Sequence, residues 1–397
     1  MQKRRLMPII AGAMCTALLM AGCAHFRKSG GQMDDPSIHY KQGMKYWNDK
    51  KYAQAEDEFK LAQSLDSNYA LAYAGLALTT AQAAKTAGDV ETAEKGFKEA
   101  LKLADKAQSL GRKIPGVFIA KAIVITMKNE GKDAKTWLGE VEKEYNKALK
   151  LKPKNAEALY RRGYCYKNAY EFSKAADDFR KVLDLKKGFA TQAKKQLEIV
   201  QKIERTGPCT DVGKKIVLVE QLRRADIAAL FVLELHIDKL IGKKPPDDSS
   251  PDFQVSGDTL ETAPDSIVSM AEVTDIDGHW AKTYIMDIVK HGIRGLELYP
   301  DHTFHPDRLV NRGEFALMVQ DVLIAVTGDK DLAAKYSGTE SPFPDVNLSH
   351  PAYNAICTAV GRGVMDAGMN GEFGPNKPIS GPDALLTIRN CRFLWLH

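Results

Sequence analysis

The longest apolar stretch of the chain comes first. Leu6 to Met20 is interrupted only by Pro8, Gly12, Cys15 and Thr16, and it follows Lys3, Arg4 and Arg5. A basic start, a short apolar middle and small residues before a break define an export signal, here residues 1–22. The alternative, a transmembrane anchor, is disfavoured because the run falls short of the ~20 residues that span a bilayer. Further on, apolar and small positions recur at helical spacing. Gly43, Tyr46, Ala55 and Phe59 return 120 residues later as Gly163, Tyr166, Ala175 and Phe179. Partial copies hold Ala93, Phe97 and Ala100, and then Tyr145, Ala148 and Pro153. Helix pairs of this kind cannot bury their apolar faces alone and must stack. The pattern therefore predicts a helical array over residues 36–206, behind a tether at 23–35. Breaks fall at Asn48-Asp49, Gly88-Asp89 and Pro153-Lys154-Asn155. The first helix of the second copy reads as about one turn, and the third carries extra residues near Lys128 to Thr136. Ala190 to Glu204, rich in Lys and Gln, reads as a polar cap on the last repeat.

The second half is patterned differently. Residues 242–270 are rich in Pro, Asp, Ser and Thr and read as a poorly ordered linker. After it come Val273-Thr274-Asp275-Ile276-Asp277-Gly278-His279-Trp280-Ala281, an amphipathic helix to about Lys290, and Tyr299-Pro300-Asp301-His302-Thr303-Phe304. Asn311-Arg312-Gly313-Glu314 then opens a second helix, so that 271–326 forms one unit. A weaker copy over 340–397 contains Phe343-Pro344-Asp345-Val346, Gly371-Glu372-Phe373 and Ser380-Gly381-Pro382-Asp383. Arg223-Arg224-Ala225-Asp226 within 207–241 looks like the second helix of a copy without its front half.

Charge separates the halves. Residues 36–206 carry 33 basic and 22 acidic side chains, against 18 and 27 in residues 207–397. Such a split suggests different partners, or halves that attract one another; solvated helix surface beside an acidic linker is the plainer reading. Outside the signal and Cys23, four cysteines remain: Cys165, Cys209, Cys357 and Cys391. No zinc spacing is present, and three disulfide pairings are open. His302 and His305 beside Asp301 and Asp307 would suit a metal, but they read better as a turn before a helix. No phosphate loop, nucleophile elbow or triad stands out, so neither a cofactor nor an enzyme is expected.

Three resemblances follow from these residues. Leu19-Met20-Ala21-Gly22-Cys23-Ala24 resembles the lipobox of bacterial lipoproteins, which implies cleavage before Cys23 and its acylation. Ala24 rather than Asp implies outer-membrane sorting, with the protein facing the periplasm. Export in turn excludes nucleic acid as a partner. The array is similar to tetratricopeptide repeats, which implies a concave groove for a protein partner; Lys45, Arg161 and Lys167 are candidates there for an acidic peptide. The second half resembles S-layer homology repeats, about two and a half of them, which implies a pseudo-threefold cluster that binds cell-wall polysaccharide or peptidoglycan-linked glycan. By that resemblance Arg312 and Arg224 would pair with an acidic sugar substituent. Asp275, Trp280 and Asp345 are further candidates, though Asp and Trp would equally cap a helix and fill the core. Gly381 replaces the third arginine and Pro351 stands where Trp280 does, which marks a ligand pocket that has been lost.

The expectation is an all-α protein: a tetratricopeptide-type helical solenoid followed by a helical S-layer-homology-like domain. Its expected role is a non-enzymatic outer-membrane lipoprotein, held by membrane lipid at Cys23, that grips the wall and recruits a protein. The alternative is an assembly lipoprotein that pilots a secretin or pilus component.

Overall fold

The computed structural model describes residues 35–241 and 273–396, and the chain is helical throughout them. The lipidation position Cys23, the signal, and the linker 242–270 lie outside the described residues. Four helix pairs build the first half: α1 (Pro36–Asn48) with α2 (Tyr52–Leu65), α3 (Ala70–Lys85) with α4 (Val90–Leu110), α5 (Pro115–Lys128) with α6 (Ala134–Leu151), and α7 (Ala156–Asn168) with α8 (Phe172–Asp184). α9 (Ala190–Thr206) follows. Asp89 caps α4 by accepting from the Thr92 amide, and Asn155 caps α7 by accepting from the Ala158 amide. Such side-chain caps satisfy amides that the helix leaves without partners.

The repeated small and aromatic positions perform the packing their spacing implies. Ala55, Phe59, Ala175 and Phe179 are fully buried. A Cβ on Gly43 would stand 2.5 Å from the Phe59 ring, and one on Gly163 would stand 2.9 Å from the Phe179 ring. The glycines thus admit an aromatic ring where any side chain would exclude it. Each such ring contributes about 1.5–3 kcal/mol by leaving water.

Two details differ from the sequence expectation. α3 is a full helix of 16 residues rather than one turn. Its buried residues are mostly alanine, with Leu76, Leu78, Gly75 and Thr79, and none is aromatic, so periodicity alone understated it. α9 is not an outer polar cap. Ala193, Leu197 and Val200 pack on α8, while Ile203 is buried in the core of the C-terminal half. The Lys and Gln residues cover one face of a helix that joins the halves.

The C-terminal half comprises α10 (Asp211–Ile216), α11 (Arg224–Leu230) running into a π-helical turn at Phe231–Leu235, α12 (Ile237–Ile241), α13 (Lys282–Val289), α14 (Arg312–Thr327), α15 (Tyr353–Gly361) and α16 (Gly381–Leu396), with a short 3-10 turn at Lys330–Ala333. One continuous core runs from Ile203 to Cys391. At its centre three extended residues close a ring of backbone hydrogen bonds. Leu222 N donates to Ile379 O at 2.9 Å, Ile379 N to Val310 O at 3.0 Å, and Val310 N to Leu222 O at 3.0 Å. All three side chains are buried. Each residue lies just before a helix, α11, α14 or α16, so the ring is the pseudo-threefold axis of the unit. The segment 207–241 supplies its share through Leu222, α10, α11, the π-helical turn and α12.

Among the described residues the four cysteines are free thiols: Cys209 is exposed, and Cys165, Cys357 and Cys391 are buried. Burial pushes Cys165 up to about 11 and Cys391 up to about 12.

Candidate functional site

The loops before α14 and α16 are built to one plan. The Asp275 carboxylate accepts from the amides of Phe304 at 2.8 Å and His305 at 2.7 Å. The Asp345 carboxylate accepts from Phe373 at 2.9 Å and Gly374 at 2.6 Å. Burial opposes ionisation of Asp345, but these amides prevail and hold it below the usual carboxylate range. Asp275 and Asp345 therefore staple loops. His302 and His305 sit at positive φ where the later copy has Gly371 and Gly374. The chain thus keeps the left-handed turns without the glycines that favour them. No group of ligands able to hold a metal exists among the described residues.

Each stapled loop receives an arginine from the helix of the preceding copy. Arg224 is 2% exposed. Its Nε donates to Phe304 O at 2.7 Å, Nη2 to Glu297 O at 2.9 Å, and Nη1 to Gly295 O. The guanidinium lies 4.5 Å from the Phe304 ring centroid. Arg312 repeats the arrangement: Nε donates to Phe373 O at 2.9 Å, Nη2 to Asp366 O at 2.6 Å, and the guanidinium lies 4.6 Å from the Phe373 centroid. Burial lowers both arginines from their ordinary value; carboxylates at Asp383, Asp366 and Asp345 oppose that at Arg312. Both remain cations.

The two arginines differ in access. Arg224 is sealed beneath its loop with all three nitrogens engaged. The expectation that it meets a ligand is therefore corrected: its guanidinium is a structural clamp. Arg312 is only partly buried and lines a cavity of about 370 Å³, together with Lys202, Lys377, Asp366, Glu372 and Asp383. It makes no ion pair among the described residues. A second cavity of about 660 Å³ lies over the Asp275 loop, beside Tyr299, His305 and Arg308. Its guanidinium, Arg308, is already paired with Glu314.

Gly381 also needs correction as a merely vacant position. A Cβ there would collide with the backbone carbonyl of Ile216 and stand 2.8 Å from Val217 Cα. The loop that a third arginine would clamp is missing with the front half of the first copy. The end of α10 fills that space and touches the glycine directly. Sequence comparison among copies shows the substitution, but only the packing shows that a side chain no longer fits.

Trp280 is 54% exposed, so it does not fill the core. Its ring lies 6.3 Å from that of Tyr284 and 5.8 Å from His279. Trp280 does not line the Arg312 cavity.

The groove cations proposed from the sequence lie on α1 and α7. Lys45 is exposed on α1. Arg161, on α7, pairs with Glu157 at 2.8 Å. Lys167, also on α7, donates to Gln196 at 2.7 Å and lies 4.5 Å from the Tyr164 ring. Burial depresses Lys167 to about 8. The residue that sequence reasoning missed is Lys202. It lies in the array's last helix, and nothing in its local pattern reveals that it reaches a cavity of the other half.

Family models match both halves of the chain. The S-layer homology domain matches residues 274–316 and 342–384, and a tetratricopeptide repeat matches residues 156–189. A cellulosome-anchoring protein of Acetivibrio thermocellus is 32% identical over 90 residues, 22% of this chain and 18% of that protein. The match thus spans less than a fifth of that relative's length. Among solved structures, a thermophilic TPR protein of Thermus thermophilus has 15% identity and a TM-score of 0.36 over 42% of this chain and 81% of its own. The MamA protein has 17% identity and a TM-score of 0.27 over 43% and 88%, and yeast Tom70 has 20% and 0.27 over 46% and 43%. The chain joins a tetratricopeptide repeat to a pair of S-layer homology domains.

Proposed function

We propose that this protein is a non-enzymatic envelope lipoprotein whose C-terminal half grips an acidic cell-wall glycan at Arg312 while its helical array engages a protein partner. The observation that carries the reading is the state of Arg312. Its guanidinium is partly desolvated, anchored to two carbonyls, and lines a cavity in which Asp366, Glu372 and Asp383 also stand without forming an ion pair with it. An anchored guanidinium presents a planar fork, and a sugar carboxylate accepts two charge-assisted hydrogen bonds from such a fork. The C-terminal half is acidic overall, so bulk attraction to an anionic polymer does not substitute for this contact. Trp280 offers an apolar face on which a sugar ring can lie. The lipid anchor at Cys23 and an outer-membrane location rest on the Leu19–Ala24 pattern. No helix among the described residues is long and apolar enough to cross a membrane. Lipid at one end and wall at the other would tether the two layers.

Cosedimentation of the full chain with purified sacculi tests the reading. Loss of one partner of a desolvated charge pair costs about 2–5 kcal/mol, or roughly 30-fold and more in affinity. Arg312→Gln should therefore remain in the supernatant while melting as a folded protein. Trp280→Ala, which removes a half-exposed ring resting on His279 and Tyr284, should bind less well while remaining folded. Wild-type chain that fails to bind sacculi would overturn the reading and favour a protein-docking role for the C-terminal half.

A further inference from the structure

The cavity at Arg312 is not made by the C-terminal half alone. Lys202 enters it from α9, and α9 is fixed from both sides: Val200 is buried against the array and Ile203 in the core of the C-terminal half. Its ammonium pairs with Asp383 at 2.5 Å. Asp383, in the first turn of α16, also accepts from the Ser380 hydroxyl at 2.6 Å. Burial works against ionisation of Asp383, but Lys202, Ser380 and the nearby Arg312 outweigh it and hold the carboxyl below its usual range. An internal carboxylate therefore occupies the field of two cations, one from each half of the chain. The Lys202 side chain is 34% exposed and lines the cavity.

We infer that Lys202 is a specificity-determining residue of the wall site: a carboxylate held by Arg312 takes a hydrogen bond from Lys202, and Asp383 stands in for that carboxylate until it arrives. This rests on the wall-binding reading above and deepens it. The site is shared between the repeat array and the S-layer homology half. An ammonium has three rotatable donors, so Lys202 can turn from Asp383 towards an arriving carboxylate. A neutral sugar would gain little from it, whereas a carboxylated one gains a second charge-assisted contact. Discrimination between acidic and neutral glycan is thus assigned to Lys202 as well as to Arg312.

The test uses the full chain and solubilised wall polymer in two forms, native and with carboxylates reduced to alcohols. Lys202→Gln should weaken binding of native polymer by about tenfold, the equivalent of 1.4 kcal/mol, and leave binding of reduced polymer unchanged. Lys202→Arg should restore the native value. Asp383→Asn removes the competing carboxylate, and native polymer should bind it more tightly than wild type. Equal weakening of both polymers by Lys202→Gln would reduce Lys202 to a structural ion pair and overturn the inference. So would native binding unchanged in Lys202→Gln while Arg312→Gln abolishes it, which leaves the wall reading standing. Failure of wild type to bind either polymer would overturn the wall reading and this inference with it.

Discussion

Gly381→Ala is the sharpest probe of the fold around the site. The added Cβ would meet three backbone atoms: Ile216 O in collision, Val217 Cα at 2.8 Å and Val217 C at 2.9 Å. None of these can rotate away as a side-chain tip could, so the start of α16 and the end of α10 must separate. Overpacking of this kind costs about 1–3 kcal/mol. The separation also strains the hydrogen bond from Gly381 N to Val219 O, 2.8 Å long, worth about 1 kcal/mol. Alanine's better helix propensity returns at most about 1 kcal/mol. The net loss is about 1–4 kcal/mol, or roughly 2–16 °C in melting temperature for a unit of this size. Thermal melts followed by circular dichroism, with urea midpoints, measure it. Gly139→Ala is the control: it lies inside α6 with nothing within 4 Å of a new Cβ, and it should be neutral or stabilising. Gly381→Arg, which writes back the residue of the other copies, should be worse than alanine because no loop awaits its guanidinium. If Gly381→Ala melts with the wild type, the direct contact between α10 and α16 is wrong, and so is the account of the missing third site.

Other outcomes follow from the same geometry. Arg224→Met should destabilise the C-terminal half by about 3 kcal/mol, because the buried Phe304 carbonyl and the partly buried carbonyls of Gly295 and Glu297 lose their donor; urea unfolding measures this. Asp275→Asn and Asp345→Asn each lose one of two acceptors that staple a loop and should cost about 1–2 kcal/mol in the same assay. Lys167 gives a pH dependence. Its folded value, about 8, lies below the ordinary 10.5 because burial disfavours the charged amine. The penalty is complete below pH 8 and is relieved as pH rises towards 10.5, where the unfolded chain holds a proton that the folded chain releases. Wild type should therefore gain about 1–2 kcal/mol relative to Lys167→Met between about pH 7 and pH 10, after allowance for partial exposure. A gap independent of pH would refute the buried amine.

Much of this architecture is legible in the sequence, for physical reasons. The Gly-Tyr-Ala-Phe spacing encodes close helix contact, and Gly43, Phe59, Gly163 and Phe179 meet as that spacing requires. The copies in the C-terminal half reveal equivalent positions, so Arg224, Arg312 and Gly381 are recognisable as a set. What the pattern hides is burial. Arg224 and Arg312 share a motif, yet one is sealed and the other faces a cavity, because only the later boundary opens beside α9. Trp280 sits at a position that reads equally well as core, and it is exposed. α3 lacks aromatic landmarks, since its alanines pack by smallness, and α9 disguises a two-sided interface as a polar cap. Lys202 belongs to the site through the packing of two halves, which no local spacing records.

The central claim is that an anchored arginine in the C-terminal half recognises an acidic group on a wall polymer. The direct measurement is the affinity of the wild-type full chain for solubilised wall polymer before and after its carboxylates are reduced to alcohols, at fixed ionic strength. The account predicts a loss of roughly 30-fold or more on reduction, the scale of one desolvated charge pair. Equal affinity for the two polymers would contradict it.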